Sequence, residues 1–181
     1  YGTKIFNKHL LLLLTACSQQ GIQPQNQTNT PAAAIKELKH VPLDSIEEII
    51  TKNDVILDEE NSSDGNGAIK IVSEGPTTIN LLELSDIDIE NAKVFYNAKL
   101  KTDNVDGQVY LEMLCHFTGK GDFFSRALHD PLTGTSDWKT QETLFMLQAG
   151  EKPDHIKLNL VIDGKGTTWI DDLHVSQGPL Q

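Results

Sequence analysis

The chain has 181 residues, enough for one domain with short additional segments. Its 15 Lys and Arg residues against 26 Asp and Glu residues give a formal net charge of −11 at pH 7. The phosphates of nucleic acids and anionic lipid headgroups repel such an acidic chain, which excludes both as expected direct partners. Hydrophobic residues make up 38% of the sequence, sufficient for a core if they alternate along strands.

Residues 1–16 have the pattern of an export signal. Lys4 and Lys8 precede an unbroken run of five leucines, and Thr15 and Ala16 follow that run. A basic segment, a short apolar run and small residues before a processing point are typical of secretory signals. The leucine run is too short to span a bilayer as a permanent helix.

The segment Leu14-Thr15-Ala16-Cys17 resembles the lipobox of bacterial lipoproteins. The resemblance implies that the leader is cut before Cys17 and that the thiol of Cys17 carries a diacylglyceryl group. Ser18, in place of Asp, is similar to Gram-negative lipoproteins that are sorted to the outer membrane. We therefore expect a lipid anchor in the bacterial cell envelope, because two or more acyl chains hold a protein stably at a membrane.

Residues 17–42 are predicted to be the lipidated cysteine and a flexible tether, followed by a domain over residues 43–181. Residues 18–34 are rich in Gln, Asn and Thr and have almost no large apolar side chains, so they cannot form a core. At the start of the domain two structures remain open. A capping box favours a short helix near residues 45–50, and a strand within residues 49–57 competes with it.

The rest of the chain alternates apolar and polar residues with the period of two that is typical of half-buried strands. In one such stretch the apolar set is Val109, Leu111, Met113 and Cys115. About eight short strands with almost no helix predict an all-β fold, an antiparallel β-sandwich. The predicted strands are residues 68–72, 77–84, 92–102, 108–117, 123–128, 142–147, 156–162 and 167–175, with a loop at residues 130–140.

Three short segments resemble galactose-binding-like jelly rolls, a group that includes carbohydrate-binding modules attached to polysaccharide-degrading enzymes. They are residues 58–71, residues 138–143 with Trp138, Glu142 and Thr143, and residues 166–172. The resemblance extends over about residues 43–176. It implies a jelly roll of galactose-binding-like type and a module that binds carbohydrate.

Acidic residues in the loop after residue 57 and at the end of the chain suggest a calcium site. Calcium takes six or more oxygen ligands, which clustered carboxylates and loop carbonyls supply. Related jelly rolls carry a structural calcium between the first loop and the final strand, so the resemblance implies Asp58, Asp64 and Asp172 as ligands. Solvated loop acids are the alternative.

Polar and aromatic residues on one sheet face are the candidate binding surface. Sugar recognition needs planar polar groups for the hydroxyls and an aromatic ring for the sugar face. The alternative is an ordinary solvated face of an antiparallel sheet. The candidate ligand-binding residues are Asn97, Lys99, Tyr110, Glu112, His116, Asn159 and, as a stacking platform, Trp138.

We expect no enzyme. Ser125, His129 and Asp130 are close in sequence, but Ser125 lacks the nucleophile elbow of a hydrolase. The predicted function is that of a non-catalytic, envelope-anchored lipoprotein with a carbohydrate-binding-like module. The alternative is a structural or assembly lipoprotein that binds a protein partner. The expected partners are the membrane, through the lipid anchor, and a glycan or an envelope protein.

Replacing the predicted lipidation site tests the anchor. Cys17→Ala should release the protein from the membrane fraction or leave an unprocessed precursor, because the variant has no thiol to acylate. Fractionation and gel mobility measure both effects. Cys115→Ala, at a predicted core position, is the control for loss of a thiol and should remain membrane-bound. Wild-type fractionation and mobility of Cys17→Ala would contradict the lipoprotein interpretation.

Overall fold

A computed structural model describes residues 34–180, and every helix or strand in that range is a β-strand. The all-β prediction is therefore confirmed, and this part of the chain has no helix long and apolar enough to cross a membrane. The predicted leader and Cys17 lie outside the described residues. The nine strands are β1 (Lys36–Val41), β2 (Val55–Asp58), β3 (Ala68–Glu74), β4 (Thr77–Ser85), β5 (Ala92–Phe117), β6 (Gly121–Arg126), β7 (Leu132–Leu147), β8 (His155–Asp163) and β9 (Lys165–Pro179).

The 26-residue strand β5 runs through both layers of a curled antiparallel sheet. Its first half pairs with β9 and β7, and its second half pairs with β8 and β6. The sequence predicted two separate strands here, at residues 92–102 and 108–117. The register with β7 shifts repeatedly between Leu100 and Val109, where the strand passes from one layer to the other.

We call the two layers layer 1 and layer 2. Layer 1 contains β1, β2, β3, β9, the first half of β5 and β7, and layer 2 contains β4, β8, the second half of β5 and β6. A side chain of one layer reaches the backbone of the other, since the hydroxyl of Tyr96 in β5 donates to the carbonyl oxygen of Asn159 in β8 at 3.3 Å. Burial between the layers raises the pKa of Tyr96.

The core consists of the inward side chains of both layers, as the alternation predicted. Each large aliphatic side chain that is fully buried contributes about 1.5–3 kcal/mol. Burial also raises the pKa of the Cys115 thiol to about 12, so this cysteine is an unreactive core residue. Among the core residues of β5 and β8 are Val94, Tyr96, Ala98, Leu100, Val109, Leu111, Met113, Cys115, Ile156, Leu158, Leu160 and Ile162.

Three local predictions differ from the structure. Residues 45–50 form turns and bends instead of a helix, and only residues 55–57 of the competing segment lie in a strand, β2. The predicted loop at residues 130–140 is largely the first part of β7, because pairing with β5 brings residues 132–140 into the sheet. β1, in the segment predicted as tether, pairs with β9 and is part of the sandwich.

The passage of β5 between the layers depends on a close approach at Gly107. A Cβ atom on Gly107 would lie 1.5 Å from the carbonyl oxygen of Asp163, where β8 ends. The adjacent Asp106 accepts the backbone N–H of Lys165 at 2.7 Å, which holds the β8–β9 turn against this bend. No side chain fits at position 107 unless the backbone moves.

Two Gly→Ala substitutions test this packing. Gly107→Ala should lower the free energy of unfolding by about 1–3 kcal/mol or more, because overpacking displaces backbone. Gly75→Ala is the matched control, since nothing lies within 4 Å of a Cβ atom there, and should change stability by less than about 1 kcal/mol. Urea unfolding of both variants measures the difference. Equal stability of the two would contradict the proposed bend.

Candidate functional site

A row of planar polar side chains crosses all four strands of layer 2 on its outer face. Strand register places Arg126 of β6 opposite Glu112 of β5, Glu112 opposite Asn159 of β8, and Asn159 opposite Asn80 of β4. Paired residues of an antiparallel sheet point to the same side, so the four side chains share one face. We call Arg126, Glu112, Asn159 and Asn80 the polar row.

Glu112 is the centre of the polar row and is held by both of its neighbours. Its Oε2 accepts a 2.6 Å hydrogen bond from Nε of Arg126, and its Oε1 accepts a 3.0 Å bond from Nδ2 of Asn159. Glu112 and Asn159 are each only 6% exposed although they face away from the core. Charge-assisted bonds of this kind fix the orientation of the carboxylate and amide groups.

Aromatic and apolar side chains flank the polar row. Tyr110 lies two residues before Glu112 on β5, and Leu114 two residues after it lies opposite Phe124 of β6. Phe124 is 57% exposed, and the guanidinium of Arg126 lies 4.0 Å from its ring centroid, a cation–π contact. The face therefore offers fixed hydrogen-bonding groups beside exposed ring surface.

The structure brings together four of the seven predicted ligand-binding residues. Tyr110, Glu112, His116 and Asn159 share the outer face of layer 2. Asn97 and Lys99 lie instead on the outer face of layer 1, where they interact with Glu142 (3.4 Å) and Asp172 (3.1 Å), respectively. The reason is that outward side chains in the first half of β5 project from layer 1. Outward side chains in the second half project from layer 2, on the opposite side of the sandwich.

Trp138 also belongs to layer 1. It is half-buried within β7, which pairs with the first half of β5. Sequence reasoning missed Arg126, Phe124 and Asn80 as members of the candidate site. The sequence placed these residues on predicted strands. Only the strand register in the structure shows that they lie beside Glu112.

The residues considered as a catalytic triad have other partners. The hydroxyl of Ser125 is 2.6 Å from the hydroxyl of Thr143, and Asp130 accepts a 2.6 Å bond from Lys139. Both contacts connect the segment around β6 to β7. The Ser125–Thr143 contact joins β6 of layer 2 to β7 of layer 1, and the Asp130–Lys139 ion pair holds the β6–β7 loop against β7.

The three predicted calcium ligands do not form one cluster of ligand atoms in the described part of the chain. Asp58 accepts hydrogen bonds from Nε1 of Trp169 at 2.8 Å and from two backbone N–H groups, and these bonds, that of Trp169 foremost, lower its pKa to about 2. Asp172 contacts Lys99 and two histidines on the outer face of layer 1. Burial alone would raise the pKa of Asp172, but these partners outweigh it and lower the pKa to about 2.

The third predicted ligand, Asp64, lies in a different acidic cluster. Asp44, Asp64 and Asp171 each place a carboxylate oxygen within 4.8 Å of the other two. Asp171 is fully buried, and its Oδ1 and the Oδ1 of Asp44 are buried without a hydrogen-bond partner among the described residues. Burial, followed by the charges of Asp64, Asp171 and Asp172, raises the pKa of Asp44.

This cluster fits calcium better than the predicted set. Oxygens bound to one calcium ion are at most about 4.8 Å apart, twice the roughly 2.4 Å calcium–oxygen distance. The buried hydroxyl of Ser63 also lacks a partner in the described part of the chain, and its backbone N–H donates to Asp171 at 2.8 Å. We propose that Asp44, Asp64 and Asp171 hold a structural calcium ion, which would compensate their mutual repulsion.

Comparison with solved structures identifies the fold. The CBM22-1 xylan-binding domain from Paenibacillus barcinonensis Xyn10C matches with a TM-score of 0.62 and 12% identity, covering 83% of this chain and 98% of that domain. A xylan-binding domain from CBM 22 matches with a TM-score of 0.61 and 9% identity, over 81% of this chain and 97% of that one. A family 16 carbohydrate-binding module matches with a TM-score of 0.53 and 13% identity, over 73% and 95%.

The chain has the β-sandwich, jelly-roll fold of carbohydrate-binding modules. The predicted fold class is confirmed. No protein-family model and no curated protein matches the sequence. At these identities the solved structures establish the fold, and the chemistry of the site rests on the residues of this chain.

Calcium removal tests the acidic cluster. Chelation should lower the melting temperature of the wild type and added calcium should restore it, because an ion bound to the folded state stabilises that state. Asp171→Asn should abolish this response. Asp58→Asn, which removes a carboxylate outside the cluster, is the control and should keep it. An unchanged melting temperature on chelation, or a response lost only in Asp58→Asn, would contradict the proposed site.

Proposed function

We propose that the chain is a non-catalytic, carbohydrate-binding module and that it binds glycan on the outer face of layer 2. The observation that carries the proposal is the fixed Arg126–Glu112–Asn159 arrangement beside Tyr110 and the exposed ring of Phe124. A polar group on a simple solvated face is mobile and hydrated. Here the carboxylate and amide are already desolvated and oriented, which reduces the ordering cost of binding.

The chemistry of the polar row favours a neutral glycan. Glu112 is paired with Arg126, so the site offers donors and acceptors with little net charge of its own. Sugar hydroxyls both donate and accept hydrogen bonds. They therefore match the Glu112–Arg126 pair and also the amides of Asn159 and Asn80. The chain as a whole carries a net charge of −11, which repels polyanionic polysaccharides at long range.

The fold and the proposed ligand agree. Two of the matching structures are described as xylan-binding domains, and those proteins have the same sandwich architecture. Fold alone does not determine a ligand, because one fold accommodates many sites. The glycan proposal therefore rests first on the polar row, and the likeness to these proteins is additional support.

We also propose that the module is displayed from the bacterial outer membrane by a lipid on Cys17. The support is the lipobox-like segment at residues 14–17. An anchored binding module with a tether would hold glycan near the cell surface, and catalysis would be left to other proteins. This placement is independent of the glycan proposal, since the anchor and the site are separate parts of the chain.

A protein-binding role is the second candidate, and one observation favours it. Exposed apolar side chains lie along β6 and the end of β7, among them Phe123, Leu144 and Met146. A hollow of about 240 Å³ between Phe117, Phe123, Phe145 and Met146 opens at this edge. Exposed apolar surface of this kind is typical of protein contacts, so a structural or assembly lipoprotein would dock here.

A glycan array with the full chain tests the proposed function. Wild type should bind neutral polysaccharides in preference to uronic acid-rich ones. Tyr110→Ala, Phe124→Ala and Glu112→Gln should each weaken binding about tenfold or more, because losing a ring contact or a buried polar partner costs about 1–3 kcal/mol. Asn97→Ala, on the opposite face, is the matched control and should bind like wild type.

Two results would contradict this assignment. One is loss of binding in Asn97→Ala with normal binding in the three layer 2 variants, which would move the site to layer 1. The other is a blank array with a protein whose circular dichroism and melting are normal, which would favour the apolar edge and a protein partner. Phe124→Ala changes an exposed ring, so it separates loss of binding from loss of fold.

A further inference from the structure

A pair of histidines is stacked on the outer face of layer 1, away from the polar row. His40 of β1 and His174 of β9 are direct partners in the strand register. Their rings are parallel within 5°, with centroids 4.1 Å apart. The side chains are 39% and 30% exposed, so solvent and small ions reach them.

Two carboxylates surround the stacked rings. Oδ1 of Asp172 lies 2.9 Å from Nε2 of His40 and 3.0 Å from Nε2 of His174. Oε2 of Glu37 lies 2.8 Å from Nδ1 of His174. One ligand atom each of Glu37, His40 and His174 lies within 4.8 Å of the other two. The two carboxylates therefore lie at opposite edges of the stack: Asp172 faces Nε2 of both rings, and Glu37 faces Nδ1 of His174.

We propose that Glu37, His40 and His174 bind a divalent transition-metal ion, with zinc as its best occupant, and that Asp172 holds the two rings from their opposite edge. Zinc takes four ligands with nitrogen and oxygen at about 2.0–2.2 Å, so its ligand atoms are about 3.3 Å apart. The 2.8 Å separation between Oε2 of Glu37 and Nδ1 of His174 needs a small expansion, and the parallel rings must tilt so that both direct a nitrogen at one ion. The charge of Glu37 and that of the adjacent Asp172 together balance a divalent ion, and imidazole selects against calcium.

Lys99 supports this arrangement from the neighbouring strand. Its Nζ lies 3.1 Å from Oδ2 of Asp172, which leaves Oδ1 directed at the two rings. A carboxylate that accepts the second N–H of a ligating imidazole, and that is itself hydrogen-bonded, is a common way of orienting metal ligands. The positive charge of Lys99 opposes the ion electrostatically, so its role is to position Asp172.

A second histidine pair offers a comparison within the same chain. His116 and His155 stack with centroids 4.7 Å apart and share Oδ1 of Asp154, at 2.5 and 3.1 Å. The hydroxyl of Thr118 bonds the other oxygen of Asp154. Only one carboxylate joins these rings, so the group matches the charge of a divalent ion less well. We therefore assign the metal to the Glu37–His174 cluster.

Metal binding at this site would connect β1 to β9. Glu37 and His40 lie on β1, and His174 lies on β9, so one ion would bridge the two strands. Within the described residues, β1 forms a ladder with β9 alone. An ion there stabilises the folded position of β1, which follows the segment predicted as tether.

Cobalt and zinc titrations of the full chain, purified without a histidine tag and in saturating calcium, test the proposal. Cobalt should bind with one equivalent that gives the visible absorption of tetrahedral coordination, and zinc should displace it. His40→Ala and His174→Ala should weaken this binding at least tenfold. His129→Ala, an exposed histidine outside both clusters, and the double variant H116A/H155A are controls and should bind like wild type.

Glu37→Gln keeps both histidines and removes one proposed ligand, so it separates metal loss from damage to the fold. It should weaken cobalt binding while its melting temperature without metal stays at the wild-type value. His9 and Cys17 are present in every variant, so differences between variants report the cluster itself. The proposal is wrong if wild type shows no tetrahedral cobalt, or if binding survives His40→Ala and His174→Ala or is lost in H116A/H155A.

Discussion

The hydrogen-bonding of one strand in two layers is the constraint on which this sandwich depends. β5 has neighbours on both sides along both of its halves, so it fixes the positions of β6, β7, β8 and β9 together. The passage between the halves requires the close packing of Gly107 against the end of β8. The Tyr96 hydroxyl also joins the first half of β5 to the backbone of β8. Strand continuity and inter-layer packing therefore stabilise the same arrangement.

This constraint also decides which side chains can act together. Residues that alternate outward along β5 form one series in the sequence, yet the fold divides them between opposite outer faces. Glu112 joins Arg126 and Asn159 in the polar row, whereas Lys99 joins Asp172 and the stacked histidines. The proposed glycan surface and the proposed transition-metal site are consequently independent. A ligand on one face changes the other only through the stability of the whole sandwich.

The sequence was sufficient for the fold and for part of the site. Period-two alternation is a local property, so the buried sets that contain Val94 and Leu111 could be read directly. The outward positions of Glu112 and Asn159 followed from the same pattern. The pairing of Glu112 and Asn159 with Arg126 did not follow from the alternation, because strand register depends on contacts between distant segments. The same limit applies to calcium: Asp171 and Asp172 are neighbours in sequence, but their side chains have different hydrogen-bond partners.

Two consecutive acidic residues of β9, Asp171 and Asp172, take part in different clusters. Asp171 faces Asp44 and Asp64, and Asp172 faces the histidines with Glu37, so consecutive residues serve two clusters of different chemistry. An all-oxygen cluster suits calcium, and a cluster with two imidazoles suits a transition metal. Each cluster joins β9 to a segment that precedes β2, through Asp44 in one and through Glu37 and His40 in the other, and the acidic cluster also includes Asp64 from the loop after β2. Cations bound there would stabilise the beginning of the sandwich, while the proposed glycan surface of layer 2 retains its geometry through β5 and β8.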